Sequence, residues 1–267
     1  MNLVSGNIIA AQRDILGLPV CDLGWAEAFA FAEEVASMPF GQSVIAFMNA
    51  ENAGLMIEDA EYRAVLERQV VLPDGEGIDM AARLVHGRKF PANLTGTAFV
   101  PALLTYIAKP MRIAMIGAQH DTLMLAAENL RRHTPWHAFL PISDGDFDRA
   151  KSDEIMERVR AAEADILLVA MGSPAQEKWI DRHVGPGHAR LVLSVGALFE
   201  TVAGERPPVP DAVRRLRLER LYRIANDPAR WRRRRAQFAF LYHVLRYRFS
   251  PSGIVRGGGD TAKAGSL

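Results

Sequence analysis

The stretch ADILLVAMGSPAQEKWIDRH, residues 164–183, decides how the chain is read. Its apolar run over 165–171 has the length of a strand and no polar alternation, the pattern of a strand buried on both faces. Gly172-Ser173-Pro174 interrupts the run, and 175–183 resumes with helical spacing. A doubly buried strand that passes through a short turn into a helix belongs to a parallel sheet covered by helices.

The same alternation extends outward in both directions. Upstream, strands are predicted over 112–116 and 136–140, with helices over 121–133 and 148–163; downstream, a strand is predicted over 189–195. Nearer the start, 42–48 reads as a buried strand ending at Asn49. A helical pattern follows over 51–69, then a short strand at 70–72 closed by the turn Pro73-Asp74-Gly75. Helices are predicted at 25–36, 77–85 and 99–108, and a short extended piece at 15–20. The fold class is therefore α/β, a parallel sheet with helices on both faces. The expected organisation is a core at 1–204, an arginine-rich appendage at 205–250 and a small, polar tail at 251–267.

The composition, 49% hydrophobic and 24% charged over 267 residues, supplies a sizeable core. The single cysteine, Cys21, rules out an internal disulfide and suits a reducing compartment. No signal-peptide pattern and no membrane-length apolar run is read, so a cytoplasmic location is expected. The net charge of +1 conceals an asymmetry. Arg206 to Arg248 holds 13 arginines against Asp211, Glu219 and Asp227, leaving 19 basic and 28 acidic residues elsewhere. Such a cationic segment meets phosphate, whether in lipid headgroups, a diphosphate substrate or nucleic acid. Within it, Arg223, Arg230 and Arg233 fall near one face of a helix, and an arginine fork matches phosphate oxygens. Further on, Phe238, Leu241, Tyr242, Leu245 and Phe249 form an apolar stripe flanked by arginines. It fits a helix lying on an anionic membrane or one packed on the protein's own core or a second subunit. The stripe also permits a homo-oligomer.

In an open parallel sheet, ligands bind beyond the carboxyl ends of the strands. Here those ends carry Asn49, Asp74, Gly117 and Gly172-Ser173-Pro174. Asp74 fits a general base or a turn residue bonding its own backbone. Asn49 fits a sugar-hydroxyl ligand or a helix cap. The Gly172 loop fits an anion site at a helix start, with Ser173 as cap and Pro174 in the first turn, or an ordinary connection. Gly117-Ala118 can admit a nucleotide. Asp144-Gly145-Asp146 has the form of a carboxylate pair for a divalent ion, but turn and cap roles account for it. The histidines show no zinc spacing.

These residues resemble the WecG/TagA/CpsF family of bacterial cell-surface glycosyltransferases. The resemblance is carried in order by Phe47-Met48-Asn49-Ala50-Glu51, Leu72-Pro73-Asp74-Gly75-Glu76-Gly77-Ile78, Leu94-Thr95-Gly96 and Ile116-Gly117. It continues through the 164–180 block and Val195-Gly196-Ala197-Leu198-Phe199 to Leu218-Glu219-Arg220-Leu221-Tyr222-Arg223 with Pro228-Ala229-Arg230. It implies a Rossmann-like fold and an inverting transfer that needs no metal or other cofactor. The sugar, often N-acetylmannosamine or its uronate, passes from a UDP-sugar co-substrate to a polyprenyl-diphosphate-linked acceptor at the inner membrane surface. Carried over by motif, Asp74 is the catalytic base and Gln176 touches the donor or the reacting centre. Gly75, Ser173, Pro174 and Glu177 belong to the same substrate-binding blocks, and Arg223, Arg230 and Arg233 meet the diphosphate from an appendage that closes at the membrane. The chain departs from the pattern at Met48, at Asn93, at Pro208-Val209-Pro210 and at Arg220, which points to altered donor or acceptor recognition. The other reading, a non-enzymatic module docking on nucleic acid through its arginines, has neither a helix-turn-helix nor an aromatic-basic RNA signature behind it, so no nucleic-acid partner is expected.

Overall fold

The computed structural model of the chain describes residues 11–204 and 240–247. A hairpin of β1 (Gln12–Ile15) and β2 (Leu18–Cys21) precedes α1 (Trp25–Ser37). The body then alternates through β3 (Ser43–Met48), α2 (Ala50–Glu58), α3 (Ala60–Leu66), β4 (Val70–Pro73), α4 (Glu76–His86) and α5 (Gly96–Tyr106). It continues with β5 (Arg112–Gly117), α6 (His120–His133), β6 (Ala138–Ser143), α7 (Ser152–Ala161), β7 (Ile166–Ala170), α8 (Ala175–His183), β8 (Leu191–Ser194) and α9 (Leu198–Ala203). The six strands β3 to β8 form one parallel sheet in the order β4-β3-β8-β7-β5-β6, a Rossmann-like arrangement.

Alternate residues of each strand serve opposite faces. Ile45, Phe47, Ile113, Met115, Leu168 and Leu193 join the core under α1, α5, α6 and α9. Their neighbours Ala46 and Met48 pack with α2, α3, α4 and the hairpin, while Ala114, Ile116, Leu167 and Val192 pack under α7 and α8. This double coverage explains the unbroken apolar runs in the sequence.

Beyond shifts of element ends, as at β6 (138–143 against an expected 136–140) and α5 (96–106 against 99–108), three elements differ from the sequence reading. The extended piece at 15–20 is the middle of a hairpin whose turn is held by Asp14, its Oδ1 accepting from the Gly17 amide at 2.7 Å. The helical pattern at 51–69 is two helices, because Asp59 ends α2 and caps α3, accepting from the Tyr62 amide at 2.9 Å. Finally, α9 went unpredicted; six residues give too little periodicity to read. Lys178 on α8 then ties that helix to the α2–α3 corner, its Nζ 2.7 Å from Asp59 and 2.8 Å from Glu61.

Of the appendage, 240–247 is described, and it is helical. Phe240 and Val244 are buried in the α2–α4 core, with Tyr247 packed beside them and donating to Asp14 at 2.8 Å. Tyr242 and Leu245 are exposed. The helix thus packs on the body through a face offset from the predicted stripe and leaves part of that stripe in solvent. Phe238, Phe249, Arg223, Arg230 and Arg233, and the tail at 251–267, lie outside the described residues.

Candidate active site

The strand order creates two places where connections leave in opposite directions. From β3 the chain enters α2 on one face of the sheet and from β8 it enters α9 on the other; β5 and β7 likewise lead into α6 and α8 on opposite faces. Crevices open at such points, and a cavity lies at each. The one at the β3/β8 end measures about 550 Å³ and includes Asn49, Asp74, Gly75 and Thr95 in its wall. The one at the β5/β7 end measures about 580 Å³ and includes Ala118, Gly145, Asp146 and Glu200. Both share Gly172, Gly196 and Ala197, so they adjoin along these residues.

Asp74 stands at the tip of β4, its amide donating to the Met48 carbonyl at 2.8 Å. This bond continues the β3–β4 ladder and fixes the carboxylate beside Asn49. Gly75 follows with φ +91° and donates to Asn93 Oδ1 at 2.8 Å, an oxygen that also lies 3.0 Å from Thr95 Oγ1. Burial pushes the Asp74 carboxyl above the ordinary carboxylate range, and hydrogen bonds with Thr95 and Asn49 partly oppose that shift. Asn49 caps α2, accepting from the Asn52 amide at 2.9 Å, and also lines the cavity. The two sequence readings of Asn49 are therefore compatible.

The Gly172 loop is held from within. Gln176, 2% exposed, accepts from the amides of Met171 at 3.2 Å and Gly172 at 3.1 Å. Its own amide donates to Glu177 Oε1 at 2.8 Å and Ser173 Oγ at 3.3 Å. All its hydrogen-bonding capacity goes to the protein. Ser173 does not cap α8, as the sequence suggested; its hydroxyl donates to Glu177 at 2.8 Å, Pro174 occupies the cap position after a cis peptide bond, and no side chain caps the helix. Two of the loop's amides are thus spent on Gln176 rather than left for an anion.

Glu177 is 1% exposed, and burial pushes its carboxyl up. Ser173, Gln176, Gly75 and Gly172 reach the cavity wall, whereas Glu177 and Pro174 are not part of it. Gly117 does not line the second cavity either: with φ +123°, a β-carbon there would sit 2.0 Å from the Ala170 carbonyl oxygen, so its absent side chain lets β5 and β7 approach. Ala118, the next residue, takes the cavity position.

Sequence reasoning gave no site role to Thr95, Asn93, Gly196, Glu200 or Arg149, although Thr95 and Gly196 stand in the blocks that carry the resemblance and Asn93 is one of the departures from it. Thr95 and Gly196 carried a usable signal, standing at a helix start and a strand end; Glu200 sits in the unpredicted α9. Asp144 makes a turn, accepting from the Asp146 amide at 3.2 Å. Among the described residues no three acidic, histidine or cysteine side chains gather as a metal site, and no helix is long and apolar enough to cross a membrane.

A Rossmann-like sheet with a carboxylate at one switch point and a glycine-walled cavity at the other defines a protein that can bring two polar substrates together. The WecG/TagA/CpsF glycosyl transferase family model matches residues 13–253. The chain belongs to that family and is a glycosyltransferase. Similar relatives include two N-acetylglucosaminyldiphosphoundecaprenol N-acetyl-beta-D-mannosaminyltransferases. The one from Bacillus spizizenii is 27% identical over 229 residues, 83% of this chain and 87% of the relative. The one from Bacillus subtilis is 31% identical over 196 residues, 72% and 74%.

Proposed function

We propose that the protein transfers a sugar from a UDP-sugar to an undecaprenyl-diphosphate-linked sugar, with Asp74 as general base. By their names, both relatives act on N-acetylglucosaminyldiphosphoundecaprenol and transfer N-acetylmannosamine. The observation that carries the reading is the half-buried Asp74 in a cavity that shares Gly172 and Gly196 with a second one. The acceptor hydroxyl gives its proton to the Asp74 carboxylate while its oxygen forms the new bond to the anomeric carbon. The anomeric C–O bond breaks, UDP leaves with the electron pair, and configuration inverts. Partial burial suits the base, because a raised proton affinity improves proton capture.

Arg223, Arg230 and Arg233 are the resemblance's candidates for charge stabilisation on the departing diphosphate, in a reaction that uses no metal ion. The exposed Tyr242 and Leu245, next to Arg246, support peripheral contact with the inner membrane surface.

The test is acceptor-dependent UDP release from candidate UDP-sugars and a short-chain lipid-diphosphate sugar. Activity is expected to survive EDTA and to fall at least a thousandfold in Asp74→Asn, in line with removal of the general base. Wild-type-like turnover by Asp74→Asn removes the base assignment; EDTA-sensitive turnover promotes Asp144 and Asp146 to metal ligands.

A further inference from the structure

We infer that Arg149 binds the diphosphate of the nucleotide donor from the folded core, an inference that rests on the UDP-sugar reading above. The β5/β7 cavity is walled by glycine and alanine with two carboxylates, Asp146 and Glu200. One Glu200 oxygen is buried with no hydrogen-bond partner among the described residues. Neither cavity has a lysine, arginine or histidine in its described wall. Carboxylates suit the hydroxyls of a ribose or a sugar, but they repel a diphosphate at this range, so the anionic part of the ligand needs a cation close by.

Arg149 stands at that rim. It leaves the loop after β6 and reaches over the end of β5 to the loop after β7. Its Nη2 donates to the Gly145 carbonyl at 3.2 Å, and its Nη1 lies 3.0 Å from Met171 Sδ. Gly145 and Met171 both belong to the cavity wall. The guanidinium lies 4.2 Å over the Phe147 ring, which fixes its plane. Gly145 is itself docked on the β5 turn, its amide donating to the Ala118 carbonyl at 2.6 Å. These partners are neutral, and no carboxylate pairs with Arg149 among the described residues. The positive charge is thus oriented by three contacts and offset by none. Of the five guanidinium N–H donors, two are engaged, which leaves a fork for phosphate oxygens.

The experiment measures binding of UDP, uridine and inorganic pyrophosphate to the full chain by calorimetry, in wild type, Arg149→Gln and Arg149→Lys. UDP affinity is expected to fall about tenfold in Arg149→Gln and about threefold in Arg149→Lys, with uridine affinity unchanged and the salt dependence of UDP binding reduced. Pyrophosphate is expected to follow UDP, more weakly. Unchanged UDP affinity in Arg149→Gln overturns the inference. Equal losses for UDP and uridine also overturn it, since they reduce Arg149 to a strut between the two loops. A wild-type protein that binds no UDP overturns the donor reading itself, and this inference with it.

Discussion

At the scale of single residues, Asp74 has two competing demands on its proton affinity. Burial raises it; the hydrogen bonds with Thr95 and Asn49 lower it. A base works only when ionised, so activity is expected to fall as pH drops through this raised value. Thr95→Val removes one bond to the ionised form, and the acid limb of kcat/KM should then move to higher pH, a shift read from a pH–rate profile. An unmoved limb assigns the titration to another group. Stability follows with a definite sign. A carboxyl whose folded value is raised holds its proton longer in the folded state, so its contribution is fully present below the unfolded value and lost as pH rises through the folded one. Asp74→Asn is therefore expected to melt higher than wild type at neutral pH while losing transfer. Asp74 was legible because Pro73-Asp74-Gly75 closes a strand within three residues. Thr95, which bonds this carboxylate, and Asn93, which bonds the Gly75 amide, stand some twenty residues later and meet the turn only through the β4–α5 connection, a proximity that local pattern does not encode.

At the scale of elements, the central strands of the sheet were readable, because burial on both faces leaves an apolar run, whereas the partly exposed edge strand β6 was read two to three residues early. The C-terminal helix is the instructive case. A stripe over Phe238, Leu241, Tyr242, Leu245 and Phe249 competes with another at Phe240, Val244 and Tyr247, and only the body's shape decides which is buried. The two faces predict separable phenotypes. Phe240→Ala empties a fully buried ring site and should cost about 3 kcal/mol in urea unfolding. Leu245→Glu alters an exposed position and should leave the unfolding midpoint nearly unchanged, yet weaken flotation with vesicles containing anionic phosphatidylglycerol. Equal destabilisation by both would mean that the outward face is covered by the protein itself.

At the scale of the whole molecule, the two cavities at the carboxyl end of the sheet adjoin along Gly172, Gly196 and Ala197. The partition is made by Gly172 and Gly196, which have positive φ and open space where a β-carbon would stand. A side chain at Gly196 would point into open space on the wall that the two cavities share. Gly196→Ala also carries a backbone penalty of about 1–2 kcal/mol, because an L-residue in the left-handed region meets its own carbonyl. A lost activity could then reflect a loosened fold. Gly87 separates the two effects: it ends α4 with φ +76°, likewise has nothing near its missing β-carbon, and lines neither cavity. Gly87→Ala should thus lower the melting temperature by an amount similar to Gly196→Ala and leave transfer intact. Gly196→Ala should reduce kcat/KM at least tenfold, because a near-attack geometry tolerates little displacement of the reacting atoms. If both variants lose activity in proportion to stability, the glycine is a turn residue and the two cavities do not meet there during catalysis. If only Gly196→Ala fails, the passage between them is where the sugar changes hands.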